Sequence, residues 1–151
     1  MNRGPEEAQA RDYLSRVRRM ERRLGWKRSQ VIALREMATS ATSQISDMPR
    51  SDSPNLQRME ALVCKIADLE QEIQQEAVAL EDTRIETALT ICHIANEQHQ
   101  RVLTERYLHQ HSWKTIAGNM GYSPSYVFRL HEDALCQMEA LLLKGKGGAA
   151  Q

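Results

Sequence analysis

The fold is decided by residues 112–130, which read SWKTIAGNMGYSPSYVFRL. The first half of this stretch predicts a short helix over residues 112–120, with Ser112 as its N-cap. Its apolar side chains recur at helical spacing: Trp113, Ile116, Ala117 and Met120. Gly121 follows at once and supplies the left-handed backbone conformation that ends a helix and turns the chain sharply.

The second half predicts a longer helix that begins after Ser123. Ser123 is an N-cap residue, and Pro124 occupies the first helical position, where a missing N–H costs nothing. Apolar residues at i, i+3, i+7 and i+8 mark the inner face: Val127, Leu130, Ala134 and Leu135. Four larger side chains remain on or near the outer face: Tyr126, Phe128, Arg129 and His131. A capped short helix, a glycine turn and a capped long helix are typical of a DNA-binding helix-turn-helix, although an ordinary helical hairpin gives the same pattern.

If the second helix enters the major groove, its outer face holds the DNA contacts. Ser125 and Tyr126 lie in its first turn, and Arg129 one turn later suits a guanine or a phosphate. Phe128 suits either a thymine methyl group or the core, and the sequence does not decide between them. Phosphate contacts are expected from Lys114 and from the hydroxyl groups of Ser112 and Ser123, with Arg101 and Arg106 as additions. The candidate DNA-binding residues are therefore Ser112, Lys114, Ser123, Ser125, Tyr126, Phe128 and Arg129.

Two long helices are predicted upstream. Residues 6–43 carry a heptad seam that only Lys27 interrupts, and Gly25 is placed to bend or split the helix. Residues 44–54 (QISDMPRSDSP) predict a loop, and residues 55–96 predict a second helix in which the apolar pattern shifts near residue 84. The two helices should form an antiparallel, coiled-coil-like hairpin. A lead helix over 98–110 then precedes the short helix. The predicted fold is all-α, with a hairpin over 1–96, a helix-turn-helix domain over 97–143 and a disordered tail over 144–151.

The formal net charge of the 151 residues is zero, but the charges are unevenly distributed. Residues 1–36 hold ten Lys and Arg against five Asp and Glu, whereas residues 37–97 hold four against eleven. The basic stretch from Arg16 to Arg28 is expected to pair with the acidic second helix, and the alternative is a contact with phosphate or RNA polymerase.

Several kinds of site are not indicated. Three widely spaced cysteines, Cys64, Cys92 and Cys136, give no disulfide framework and are expected to be buried thiols in a reducing compartment. No zinc-ligand spacing, phosphate-binding glycine loop or catalytic Cys/His pattern is present, so no metal, no cofactor and no enzymatic activity are expected. No apolar run is long enough for a bilayer and no signal-peptide core follows the N-terminus, so a cytoplasmic location is expected.

The helix-turn-helix stretch resembles region four of primary sigma factors. It is still more similar to a family of phage and prophage proteins from Gram-positive bacteria, a domain of unknown function related to the ArpU-like and RinA-like late transcriptional regulators. The resemblance covers most of the chain from residue 13 to 142. It is carried by RYL (106–108), SW (112–113), IA (116–117), MGYS (120–123), YVFRLH (126–131) and AL (134–135), and upstream by ATS (38–40), MPR (48–50) and KIADLEQEI (65–73).

The resemblance implies a transcriptional regulator that binds double-stranded DNA inside the bacterial host cell and engages host RNA polymerase. Pro124 and Ser125 stand where sigma factors usually carry charged residues, which argues against promoter recognition in the manner of a sigma factor. Because a two-helix hairpin buries little apolar surface, a homo-oligomer, most simply a dimer, is expected. Two alternatives stay open. They are a DNA-packaging protein like a small terminase subunit, and a polymerase-binding interaction module that makes no DNA contact.

Overall fold

The computed structural model describes residues 5–45 and 54–148 of the chain, and within these ranges it is helical and contains no strand. The elements in order are α1 (Pro5–Ile45), α2 (Pro54–Cys92), α3 (Glu97–Leu103), a π-helical turn (Thr104–Leu108), α4 (Trp113–Met120) and α5 (Pro124–Gly148). The prediction of an all-helical chain is confirmed. The predicted loop over 44–54 falls mainly on residues 46–53, which lie outside the described residues.

The helices form two compact units. The first unit comprises Met1–Arg19 and Glu81–Gln151, and the second comprises Met20–Leu80. Both long helices therefore contribute residues to both units. This division differs from the predicted boundary between residues 96 and 97. The first part of α1 and the last part of α2 belong to the same unit as α3, α4 and α5.

The second unit is held by an apolar seam and by ion pairs between α1 and α2. The most deeply buried apolar side chains of the seam are Leu24, Val31, Leu69 and Leu80. Lys27, which interrupts the heptad pattern, places its Nζ 3.0 Å from Glu72 Oε2 and also pairs with Glu76. The hydrogen bonds to Glu76 and Glu72 raise the pKa of Lys27 above its ordinary value. Arg35 pairs with Glu70. The expected pairing of basic α1 with acidic α2 is thus present at these positions.

The first unit has a core to which every element contributes. Ala10 and Leu14 of α1, Ile91 of α2 and Ile94, which follows α2, pack with the buried residues of the C-terminal helices. Those residues are Val102, Leu103, Ile116, Ala117, Val127, Leu130, Ala134, Leu135 and Met138. Buried Glu139 of α5 accepts a 2.8 Å hydrogen bond from the backbone N–H of Ala10. Residues 97–143 therefore do not enclose a core by themselves.

The end of α2 differs from the prediction. The helix stops at Cys92 rather than near residue 96, and Asn96 instead caps α3 by accepting hydrogen bonds from the N–H groups of Gln98 and His99. The apolar pattern that shifts near residue 84 continues through Ile85, Leu89, Cys92 and Ala95, and these residues are exposed. The buried residues are instead Thr87 and Ile91 of α2 and Ile94, which follows it. The buried face is the one that meets α1, where the hydroxyl groups of Tyr13 and Thr90 lie 2.9 Å apart.

Three further predictions are corrected. The lead helix over 98–110 is shorter, since α3 ends at Leu103 and continues as the π-helical turn. The disordered tail predicted from Lys144 is helical to Gly148, and residues 149–151 lie outside the described residues. All three cysteines are exposed rather than buried. Cys64 follows Leu62 by two residues, which places it on the opposite side of α2 from the buried seam.

The turn between α4 and α5 gives a direct stability test. Gly121 has a φ of 72°, and a Cβ at this position would meet no atom within 4 Å. Gly121→Ala is therefore expected to lower the free energy of unfolding by about 1 kcal/mol through backbone strain alone. Urea denaturation followed by circular dichroism measures this. Gly118→Ala in the middle of α4, where space is equally open, is the control and should raise the stability by about 0.5–1 kcal/mol. Equal effects from the two variants would contradict the strain argument.

Candidate nucleic-acid interface

Helix α4 is capped at both ends by its own local sequence. The Ser112 hydroxyl accepts a 3.2 Å hydrogen bond from the Thr115 N–H. At the other end, Gly121 is left-handed, and the N–H groups of Gly121 and Tyr122 both donate to the carbonyl oxygen of Ala117, at 3.0 and 3.1 Å. Paired bonds of this kind satisfy the carbonyl groups that a helix end leaves open.

Helix α5 begins with Pro124, and the Ser123 hydroxyl accepts a 3.3 Å hydrogen bond from the Tyr126 N–H. Both predicted caps of the stretch are therefore present. The predicted inner face is also confirmed, since Val127, Leu130, Ala134 and Leu135 are all buried. The start of α5 is thus fixed by a cap on one side and by core packing on the other.

His131 corrects the prediction that placed it on or near the outer face, because only 2% of its surface is exposed. Its Nε2 lies 2.7 Å from the Tyr107 hydroxyl, and its ring stacks on the Tyr107 ring at 5.7 Å between centroids. The Trp113 ring meets it edge-on at 4.7 Å. A histidine one turn after buried Val127 can enter the core here because Tyr107 supplies a hydrogen-bond partner for its ring nitrogen.

All seven candidate DNA-binding residues are exposed: Ser112, Lys114, Ser123, Ser125, Tyr126, Phe128 and Arg129. Within the described residues, Lys114, Ser125 and Arg129 have no side-chain partner. Tyr126 meets Tyr122 edge-on at 4.7 Å between ring centroids and remains 43% exposed. Phe128 packs on Trp113 with 4.7 Å between ring centroids and remains 45% exposed. It is therefore neither fully in the core nor fully on the outer face, the two alternatives that the sequence left open.

Arg101 and Arg106, expected as additional phosphate contacts, are engaged inside the unit. Arg101 donates a 2.9 Å hydrogen bond to the carbonyl oxygen of Asn119 in the last turn of α4. Arg106 donates at 3.1 Å to the carbonyl oxygen of His111, and its guanidinium lies 4.4 Å from the centroid of the Trp113 ring. Both side chains therefore position α4.

The fold also brings Arg11 and Arg18 of α1 close to Arg106 in the first unit. They line a cleft of about 290 Å³ together with Arg106 and Phe128. Neither arginine stands out in the sequence, since Arg18 lies in a long basic stretch and Arg11 just precedes it. Their separation of seven residues places them on one side of α1, which is the only local sign of a shared role.

Glu105 is a buried carboxylate that joins α3 to α4. Its Oε2 accepts a 3.1 Å hydrogen bond from Asn119 Nδ2 and lies 3.4 Å from His111 Nδ1. Arg101 Nε lies 3.5 Å from the other oxygen. Burial raises the pKa of this carboxyl group, but the hydrogen bonds from Asn119 and His111 and the charge of Arg101 together lower it below its ordinary value.

The lowered pKa of Glu105 predicts a pH-dependent contribution to stability. The contribution should be present above the ordinary pKa of about 4.5 and should be lost as the pH falls through the lower pKa of the folded state. Glu105→Gln keeps the shape and one acceptor, and it should lower the free energy of unfolding by about 1 kcal/mol at neutral pH. The difference from wild type should shrink as the pH falls below the ordinary pKa of the carboxyl group. Urea denaturation at several pH values measures it, and a difference that is constant with pH would contradict the assignment.

Comparison with models of known families, with curated proteins and with solved structures finds no match to this chain. Within residues 5–45 and 54–148, no three His, Cys, Asp or Glu side chains are grouped so that they would hold a metal ion. In the same part of the chain, no helix combines the length and the apolar character needed to cross a membrane.

Proposed function

We propose that this chain is a phage-encoded transcriptional regulator that binds double-stranded DNA through a helix-turn-helix formed by α4, the turn at Gly121 and α5. The observation that carries the proposal is the outer face at the start of α5. This face carries Arg129, Ser125 and the exposed ring of Tyr126. The helix is capped at its first turn, and its opposite face is buried in the core. Side chains held on a rigid element meet the geometric demands of reading DNA.

The residues of this face have distinct proposed roles. Arg129 donates to a guanine or a phosphate, and Ser125 and Tyr126 contact the bases or phosphates nearest the first turn. Lys114 and the hydroxyl of Ser112 at the start of α4 contact the phosphate backbone. The Ser112 hydroxyl already accepts from Thr115 and would donate its proton to a phosphate oxygen. Ser123 is occupied in the same way by Tyr126.

The long helices α1 and α2 are proposed to form an antiparallel hairpin that joins two copies of the chain. The small number of positive charges on α4 and α5 implies modest affinity for one copy, which a dimer would increase. The second unit buries few large apolar side chains and exposes more. The exposed ones include Trp26, Ile32, Met37, Val63 and Val78. Exposed apolar surface on so small a unit favours a partner, and a second copy is the simplest one.

Regulation through host RNA polymerase is the remaining part of the proposal, and it rests on the sequence resemblance. The DNA-packaging alternative predicts a ring of many copies, whereas the regulator predicts a dimer. Multi-angle light scattering on the full chain separates these two. Capture of RNA polymerase without any affinity for DNA would instead favour the interaction module.

The experiment that tests the proposal is selection of duplexes from a random pool, followed by fluorescence anisotropy on the selected sequence. The full-length chain should bind the selected duplex more tightly than a scrambled duplex of the same composition. The affinity for both should fall as salt rises from about 50 to about 200 mM, because phosphate contacts release counterions. Failure to enrich any sequence, together with no binding to duplex DNA at the lower salt concentration, would overturn the proposed function.

A further inference from the structure

The first unit contains a cleft in which positive charge exceeds negative charge. The cleft has a volume of about 290 Å³, close to the lower end of the range of about 300–1,000 Å³ found for small-molecule sites. Three arginines line it, Arg11 and Arg18 from α1 and Arg106 from the π-helical turn. The carboxylate on its wall is Glu132 of α5.

This carboxylate is already used by one of the three arginines. Glu132 Oε1 accepts a 2.8 Å hydrogen bond from Arg11. The Nε of Arg11 is buried and has no hydrogen-bond partner among the described residues. Arg18 and Arg106 form no ion pair in the same part of the chain. Two guanidinium groups therefore share the cleft without a carboxylate to balance them.

The two unbalanced guanidinium groups affect each other. Burial lowers the pKa of Arg106, and the nearby charge of Arg18 lowers it further. Because arginine keeps its proton under ordinary conditions, this repulsion cannot be relieved by deprotonation. An anion placed between the groups would relieve it, and phosphate suits the planar, forked donors of arginine.

The wall beside the two arginines is aromatic. The Arg106 guanidinium lies 4.4 Å from the Trp113 ring centroid, and the Phe128 ring packs on the same indole at 4.7 Å. Phe128 is 45% exposed, so part of its ring is open to a ligand. A flat aromatic ring of a ligand stacks favourably on an exposed aromatic side chain of this kind.

We propose that this cleft binds a nucleotide, with its phosphate between Arg18 and Arg106 and its base against the exposed part of Phe128. The same chemistry is offered by a free mononucleotide and by one nucleotide of a single strand. The cleft uses neither Arg129 nor Lys114, so the inference does not depend on duplex recognition by the outer face of α5.

The test uses the fluorescence of Trp113 in a full-length Trp26→Phe background, where it is the only tryptophan. Adenosine 5′-monophosphate should quench this fluorescence to saturation, inorganic phosphate should compete with it, and adenosine should bind much more weakly. Arg18→Gln should weaken binding at least about tenfold, the size expected for losing a charged hydrogen bond. Arg22→Gln, one turn further along α1 and outside the cleft, is the matched control.

The outcomes separate the two sources of the ligand. Binding of adenosine monophosphate that depends on Arg18 supports a free nucleotide. Binding of a short oligothymidine that depends on Arg18, without binding of the mononucleotide, supports a nucleotide within a strand. No binding of either probe, or an equal loss in Arg18→Gln and Arg22→Gln, overturns the proposal. Arg129→Ala should leave the binding unchanged, so this test and that of duplex recognition can fail independently.

Discussion

A chain in which Tyr126 and Arg129 are both replaced by alanine is expected to bind its selected duplex at least about tenfold more weakly than wild type, because one arginine contact to a guanine alone contributes about 1–3 kcal/mol. Both side chains are exposed. Tyr126 is 43% exposed and its ring meets the Tyr122 ring edge-on, and Arg129 is exposed without a partner in the described residues. The double variant should therefore have the circular dichroism spectrum and unfolding midpoint of wild type.

The salt dependence of the same measurement distinguishes two roles of Arg129. If it contacts a phosphate, Arg129→Ala should weaken binding to all duplexes alike and reduce the slope of log affinity against log salt by about 1. If it contacts a base, the loss should be larger for the selected duplex than for a scrambled one. Arg58→Ala removes an exposed charge from the second unit and is the control. Undiminished binding by the double variant, or an equal loss in the control, would count against the proposed interface.

The second large effect is expected in the core beneath that interface. Leu135 is fully buried in the cluster that joins α5 to α1, α2, α3 and α4. Leu135→Ala should lower the free energy of unfolding by about 2–5 kcal/mol, through lost apolar burial and the cavity that remains. Urea denaturation measures this loss. Gln137→Ala, two residues along on the exposed side of α5, should change the stability by less than about 0.5 kcal/mol. Similar effects from both variants would mean that α5 does not pack as described.

Helix α4 and the start of α5 were predictable from the sequence because local residues determine where α4 begins and ends and where α5 begins. Ser112, Gly121 and Ser123 make their hydrogen bonds or adopt their conformation within five residues along the chain. Cap and turn preferences act at that range, so the predicted start and turn residues match the observed ones. The seam of α1 was equally visible, including Lys27, whose acidic partners lie on the helix predicted to face it.

The remaining differences arise where distant residues decide. The sequence of α2 near its end offers two apolar faces, and contact with α1 selects the face with Thr87 and Ile91 over the face with Ile85 and Leu89. The π-helical turn closes with a 3.0 Å hydrogen bond from the His109 N–H to the Thr104 carbonyl oxygen, which the periodicity of an α-helix does not predict. The approach of Arg18 to Arg106 likewise requires the folded core, so the cleft had no counterpart in the sequence prediction.

The hydrogen bond between Ala10 and Glu139 has a consequence for folding during synthesis on the ribosome. Its two partners lie 129 positions apart, so residue 10 can form this bond only after residue 139 has been synthesised. Until then Leu14 and Val17 are apolar side chains without their packing partners. Chaperones bind exposed apolar surface of this kind. Closure of this long loop should then limit the rate at which newly made molecules mature.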